Sequence, residues 1–208
     1  MNRLTNKLMQ EGYLRTNAII EAFANINRIE FVLPEMELQA DADIPLPIGY
    51  GQTISQPTTV AIMLELLDPR PGHKVLDIGS GSGWTTALLA HIVGEKGKVI
   101  ALERIKELCD FGRKNVAKCK DIKKGVVEFY NIDGSKGYPA RAPYDRILVS
   151  ASTEGVPQEL KDQLAIGGKM VIPVYNYLHY LEKRGENDFY EEEYPGFSFV
   201  PLVKRSMS

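Results

Sequence analysis

Gly79–Ser80–Gly81–Ser82–Gly83 lies between Val75–Leu76–Asp77–Ile78, an apolar run with one acid, and Trp84–Thr85–Thr86–Ala87–Leu88–Leu89–Ala90, which has helix composition. A continuous apolar run reads as a buried strand, and alternating glycines let the backbone turn sharply and approach a ligand closely. Strand, glycine loop and helix in that order are the layout of a nucleotide-type cofactor site in an open α/β sheet. A dinucleotide fingerprint wants its third glycine at position 84. Trp84 stands there instead, which argues against NAD or FAD. Taken alone, the loop is also compatible with a plain tight turn. Glu103 ends the next strand, where an acid can accept both hydroxyls of a ribose; Asp133–Gly134 follows the third, where a carboxylate can accept from an adenine amino group. Each alone reads equally well as a solvated strand end or a turn. Together they sit at the carboxyl ends of consecutive strands, the rim where such sheets bind ligands.

A second group of reactive types precedes the first. Pro45–Leu46–Pro47–Ile48–Gly49–Tyr50–Gly51–Gln52–Thr53–Ile54–Ser55–Gln56–Pro57 gathers glycines, hydroxyls and amides. It reads either as a loop that brings N–H groups and the Thr53 and Ser55 hydroxyls to a ligand, or as an ordinary capped loop entering a helix. The three histidines, His73, His91 and His179, do not cluster, and no metal spacing is present. Cys109 and Cys119 fall on one expected helix, roughly 15 Å apart at about 1.5 Å per residue, too far for a disulfide. They read as reduced thiols in a reducing cytoplasm.

The elements that must hold these groups alternate regularly from Pro57 onward. Helices are expected at Thr58–Leu67 (Pro57 suiting the first position), 84–93, Ile105 to about Cys119, and Pro157–Leu164. Strands are expected at Lys74–Ile78, Lys98–Glu103, Val126–Tyr130, Tyr144–Ser150 and Lys169–Val174. Strict alternation implies parallel strands joined by right-handed crossovers, a Rossmann-like, doubly wound α/β sheet. Tyr177–Lys183 alternates weakly and Phe197–Val203 reads as a last strand, so an antiparallel hairpin is expected to close one edge. The acidic run Glu191–Glu192–Glu193 reads as a solvated turn. Residues 1–33 read as two short helices, the second capped by Thr16, and 35–56 lack periodicity. The expected organisation is a helical extension with a substrate loop (1–56) on a cofactor-binding unit (57–208), compact as a whole.

At 208 residues the chain can bury a full core. A net charge of −2 lends no support to nucleic-acid binding, which would need a basic excess. No apolar run approaches the roughly 20 residues that span a bilayer, and the first residues lack the apolar core of a signal peptide.

The set of Asp77, Gly79–Gly83, Glu103 and Asp133 resembles the class I S-adenosylmethionine-dependent methyltransferases. With the Ile44–Pro57 segment, the resemblance narrows to the protein-L-isoaspartate (D-aspartate) O-methyltransferases and spans roughly residues 15–203, including Arg28–Phe31, Gly134–Tyr138, Ala142–Ile147 and Val156–Leu160. It implies S-adenosylmethionine as methyl donor and S-adenosylhomocysteine as product. The acceptor it implies is the free α-carboxyl of isoaspartyl residues in damaged proteins or peptides, the ester then collapsing through a succinimide. It implies Ser55 and Thr53 as catalytic residues. Gln52, Ile54, Asp77, Gly79, Ser80, Gly81, Ser82, Glu103, Arg104, Asp133 and Gly134 are the implied cofactor-binding residues. A cytoplasmic monomer that takes isoaspartyl polypeptides, with no nucleic acid, membrane or metal, is the expectation. The other reading is a relative that methylates a normal aspartate in one dedicated peptide. Two departures fall on the substrate side: Ala40–Asp41–Ala42–Asp43 lacks the family's usual aromatic, and the segment after Val174 lacks a Gln, for which Asn176 is a possible stand-in.

Overall fold

The computed structural model describes residues 2–202. Asn2 opens α1 (Arg3–Gln10) by accepting the Thr5 N–H at 2.8 Å. Thr16 stands before α2 (Asn17–Asn25) but does not cap it. Its hydroxyl donates to Glu65 at 2.7 Å, and the same carboxylate accepts the Arg15 and Thr16 N–H groups. Two 3-10 turns, Arg28–Phe31 and Pro34–Gln39, lead into a small antiparallel hairpin, β1 (Leu46–Gly49) and β2 (Gln52–Ile54). The unpatterned stretch before Pro57 thus contains strands. They are too short, and too broken by Pro47 and Gly49, to show alternation.

From there the expected order appears: α3 (Pro57–Leu67), β3 (Lys74–Ile78), α4 (Trp84–Val93), β4 (Lys98–Leu102), α5 (Lys106–Val116), β5 (Val127–Tyr130), β6 (Tyr144–Val149), α6 (Gln158–Gln163), β7 (Leu164–Val174), β8 (Tyr177–Lys183) and β9 (Phe189–Pro195). The large sheet has the order β5-β4-β3-β6-β7-β8-β9; β3 to β7 are parallel, and β8 and β9 run antiparallel at one edge. The chain winds outward from β3 through β4 to β5, then returns to the other side of β3 as β6. That reversal opens a crevice at the carboxyl ends of β3 and β6. Side chains of each strand alternate between two apolar clusters, Val75, Val99 and Leu148 facing α3, α4 and α5, and Leu76, Ile100 and Ile147 facing α6. Leu8, Ile19, Phe23 and Phe31 of the N-terminal segment share the first cluster with α4.

The tail departs from expectation. Its last strand is Phe189–Pro195, so Glu191, Glu192 and Glu193 form no turn but pair in register with Leu181, Tyr180 and His179. On this edge strand Glu192 accepts the hydroxyls of Tyr190 and Tyr194. Residues 197–202 form no strand; they cross the rim of the sheet, and Val203 lies outside the described residues. The helix expected to reach Cys119 ends at Val116.

Candidate functional site

The glycine loop leaves β3 under tight backbone control. The N–H groups of Gly79 and Ser80 both donate to Leu102 O of the neighbouring strand, and Gly83 N to Ser80 O. Gly83 is the N-cap of α4 at φ 85, and a Cβ there would lie 2.8 Å from the Gly112 carbonyl oxygen of α5. The close approach that a dinucleotide site makes at position 84 is therefore made here at position 83, by two glycines. Trp84 turns into the core, edge-on to Phe23 with ring centroids 5.6 Å apart. On the open side, Ile48 of β1 closes over the loop, 3.2 Å from where a Cβ on Gly81 would be.

Glu103, almost fully buried, braces the loop from β4: one carboxylate oxygen accepts Gly81 N at 3.0 Å, the other Ile105 N at 2.8 Å. Each oxygen keeps a lone pair for a further donor. Asn131 holds the carbonyls of Glu103 and Arg104 at 2.9 Å, and Asp133 accepts Ser135 N at 2.9 Å. Gly79, Gly81, Glu103, Arg104, Asp133 and Gly134 line one narrow cleft with Gln52 and Thr53 of the hairpin. Ser80, Ser82, Ile54 and Ser55 line a smaller recess beside it.

Asp77 differs from the rest. Its carboxylate is sealed beneath the loop at 0% exposure. One oxygen accepts the hydroxyls of Thr86 at 2.6 Å and Thr85 at 3.2 Å; the other has no partner. Burial, offset in part by these hydroxyls and reinforced by Glu103, pushes its carboxyl up to about 6. An unpaired carboxylate oxygen and an unpaired Ser80 hydroxyl, buried under glycines, suit a ligand that brings cationic donors. The two oxygens of Glu103 and the carboxylate of Asp133 give the cleft a set of acceptors that hydroxyl and amino donors of a ligand can meet.

A larger cleft of about 620 Å³ opens on the other side of the hairpin. Thr53 and Ser150 line both clefts, and Ser55 joins them at the recess. Ser150 follows β6 directly across the crevice, its Cβ 3.8 Å from where one on Gly79 would be. The described lining of the larger cleft consists of hydroxyl, amide and apolar groups, with no charged side chain among them. Its outer wall is the 195–200 segment, hung from the β7–β8 turn by Gly196 and Phe197 N–H groups on Asn176 O. Asn176 thus contributes its backbone while its side chain is exposed. Ser152 N to Val200 O (2.8 Å) and Leu202 N to Ser152 O (2.7 Å) pin the segment where it passes over the first cleft.

The residues expected at the site line these adjoining clefts, apart from Asp77, which lies sealed beneath the glycine loop. Tyr13, Ser150, Thr58 and Thr59 were missed, as was the crossing segment Phe197–Leu202. Ser150 was accessible by the strand-end rule that found Glu103. The crossing segment was hidden by its strand-like composition.

Known proteins share this architecture. The family profile of protein-L-isoaspartate(D-aspartate) O-methyltransferase (PCMT) matches residues 1–207. A protein-L-isoaspartate O-methyltransferase of Methanopyrus kandleri is 48% identical, over 97% of this chain and 90% of its own. One of Aeropyrum pernix is 45% identical, over 97% and 78%. A Plasmodium falciparum structure bearing the same enzyme name, in complex with S-adenosyl-L-homocysteine, superposes with a TM-score of 0.87 at 26% identity, covering 97% of both chains.

Proposed function

The chain belongs to the protein-L-isoaspartate(D-aspartate) O-methyltransferase family, and from that premise we propose how its two clefts divide the work. The enzyme transfers a methyl group from S-adenosylmethionine to the free α-carboxyl of L-isoaspartyl or D-aspartyl residues in damaged proteins and peptides, which initiates repair. Gln52, Ile54, Gly79–Ser82, Arg104 and Gly134 line the cofactor side, Glu103 accepts from the ribose, and Asp133 accepts from the adenine. Asp77 acts from beneath the loop, through its unpaired oxygen and its charge. When bound, S-adenosylmethionine supplies an electrophilic methyl on a sulfonium, a leaving group that needs no proton.

Thr53 and Ser55 are the catalytic residues of this reading. The acceptor carboxyl has an ordinary pKa near 4, so it is already ionised at pH 7 and needs no general base. What remains for the chain is orientation and exclusion of water. Thr53 and Ser55 donate hydroxyl hydrogens to the acceptor carboxylate and hold it in line, while the hairpin and the 197–202 segment keep water out. Orientation of this kind can supply roughly 7–11 kcal/mol.

One observation carries the reading: Thr53 and Ser150 line both a carboxylate-lined cleft and a roomy uncharged one, and Ser55 lines the roomy cleft and the recess beside them. A lining without charged side chains discriminates little among flanking sequences, which suits repair of many polypeptides better than service to one. We extend the proposal to a cytoplasmic monomer that uses no nucleic acid. No helix among the described residues is long and apolar enough to cross a membrane. The test is Ser55→Ala: turnover falls while calorimetric affinity for S-adenosylhomocysteine is kept. Loss of that affinity in a folded variant would move Ser55 to the cofactor side.

A further inference from the structure

Ser55 and Gln56 belong to neither a strand nor a helix, and residues 40–44 are turns and bends. A catalytic hydroxyl on such backbone needs something other than a ladder to hold it. The structure supplies a buried cation. Arg28, 2% exposed, reaches from the first 3-10 turn into the space between these segments. Its Nη1 donates to Ala40 O at 2.9 Å and Ala42 O at 3.1 Å; its Nη2 donates to Ile44 O at 2.9 Å and Ser55 O at 3.1 Å. The guanidinium carbon lies 5.4 Å from the centroid of the Trp84 ring, which starts the helix after the glycine loop.

None of these partners is a carboxylate. Asp43, which acts on Arg28 at longer range, spends its oxygens elsewhere: on Thr58 N at 2.9 Å, Thr58 Oγ1 at 2.6 Å and Gln56 Nε2 at 3.2 Å. So Arg28 grips the Ser55 carbonyl, and Asp43 fixes the next residue and the first turn of α3. A buried charge is costly unless hydrogen-bonded, and four charge-assisted bonds to carbonyls offset much of that. A fold needing only an apolar filler here would be served by a methionine or leucine. A planar fork that reads four carbonyls at once instead specifies backbone geometry, which a lysine with three donors on one nitrogen cannot match.

We propose that Arg28 is a positioning residue for methyl transfer: by binding the carbonyls of Ala40, Ala42, Ile44 and Ser55, it sets the backbone from which the Ser55 hydroxyl meets the acceptor carboxylate. This rests on the reading of Ser55 as catalytic. The residue touches neither clefts nor reactants; it acts through Ser55 and, on its other face, against Trp84.

The experiment compares Arg28→Lys, Arg28→Ala and Ser55→Ala with the parent enzyme, scoring kcat and KM for an isoaspartyl peptide per folded molecule, and S-adenosylhomocysteine affinity by calorimetry. Arg28→Lys is expected to fold, to keep that affinity, and to lose roughly tenfold or more in kcat, within what an ångström of misplacement costs. Millimolar guanidinium is expected to restore turnover to Arg28→Ala. Trp84, the single tryptophan of the chain, reports independently: its emission shifts in the variants and returns with guanidinium. If Arg28→Ala does not fold, Arg28→Lys decides alone. A lowered melting temperature with unchanged kcat per folded molecule overturns the proposal, as does loss of turnover only in step with loss of cofactor affinity. Should Ser55→Ala lose turnover while Arg28→Lys keeps it, only the role of Arg28 fails. Should Ser55→Ala turn over normally, the reading of Ser55 fails first.

Discussion

Replacing Asp77 by Asn should alter stability in opposite senses at low and high pH. The carboxyl has an ordinary value of 3.8 and is raised to about 6 in the folded chain, chiefly by burial. A folded state that holds its proton more tightly is favoured by that group below pH 3.8, and it loses the advantage as pH rises through 6. At 1.36 kcal/mol per pH unit, the gap is worth on the order of 3 kcal/mol against the wild-type fold at pH 8. Asp77→Asn carries no charge at any pH and escapes that penalty. It puts an amide donor where an oxygen now lies unpaired, at roughly 1–3 kcal/mol. The variant should therefore be the less stable protein at pH 4 and draw level or ahead by pH 8. Urea unfolding of the ligand-free proteins at pH 4, 6 and 8 measures this. Between pH 4 and pH 8 the difference in unfolding free energy should move by roughly 2–3 kcal/mol toward the variant. A difference flat with pH would refute the reasoning. Calorimetry should show the variant binding S-adenosylmethionine more weakly at pH 8, since the buried charge is what a cationic ligand is drawn to.

Other consequences follow from single contacts. Gly83→Ala combines φ 85 with a 2.8 Å approach to Gly112 O, and should destabilise by about 2–4 kcal/mol, roughly 5 °C or more in Tm. A thermal scan matching the parent would show that α4 and α5 can part at no cost. Glu103→Gln loses one of the two acceptors that hold Gly81 N and Ile105 N, and S-adenosylhomocysteine affinity should fall roughly tenfold or more; an unchanged Kd would remove Glu103 from the site. In steady-state kinetics, kcat for an isoaspartyl peptide should stay level from pH 6.5 to 8.5, because no base must lose a proton; a rise following a group near pH 7 would point to one.

The central fold was legible because its signals are physical and local. Lys74–Ile78 and Trp84–Val93 appear at the expected bounds, since fully buried strands read as apolar runs and Pro57, Gly83 and Gly94 punctuate the helices. Whatever depends on distant partners was not legible. Glu191–Glu193 resembles a solvated turn until β8 supplies its register and Tyr190 and Tyr194 supply hydrogens. Phe197–Leu202 has strand composition, yet Gly196 and the bonds to Asn176 and Ser152 carry it across the rim instead. Arg28 gave no signal beyond belonging to a family motif, because its four acceptors are main-chain carbonyls, which sequence does not distinguish. Ser55 was legible as a candidate hydroxyl before α3; what fixes its backbone was not.

The most direct test of the account uses a pair of peptides identical except for one linkage. Methyl transfer from labelled S-adenosylmethionine is measured to a peptide with an L-isoaspartyl residue and to its normal aspartyl twin. Expected is a kcat/KM that favours the isoaspartyl peptide by roughly 10- to 200-fold or more, the discrimination that displacing one methylene supports. Equal rates on the two peptides would contradict it.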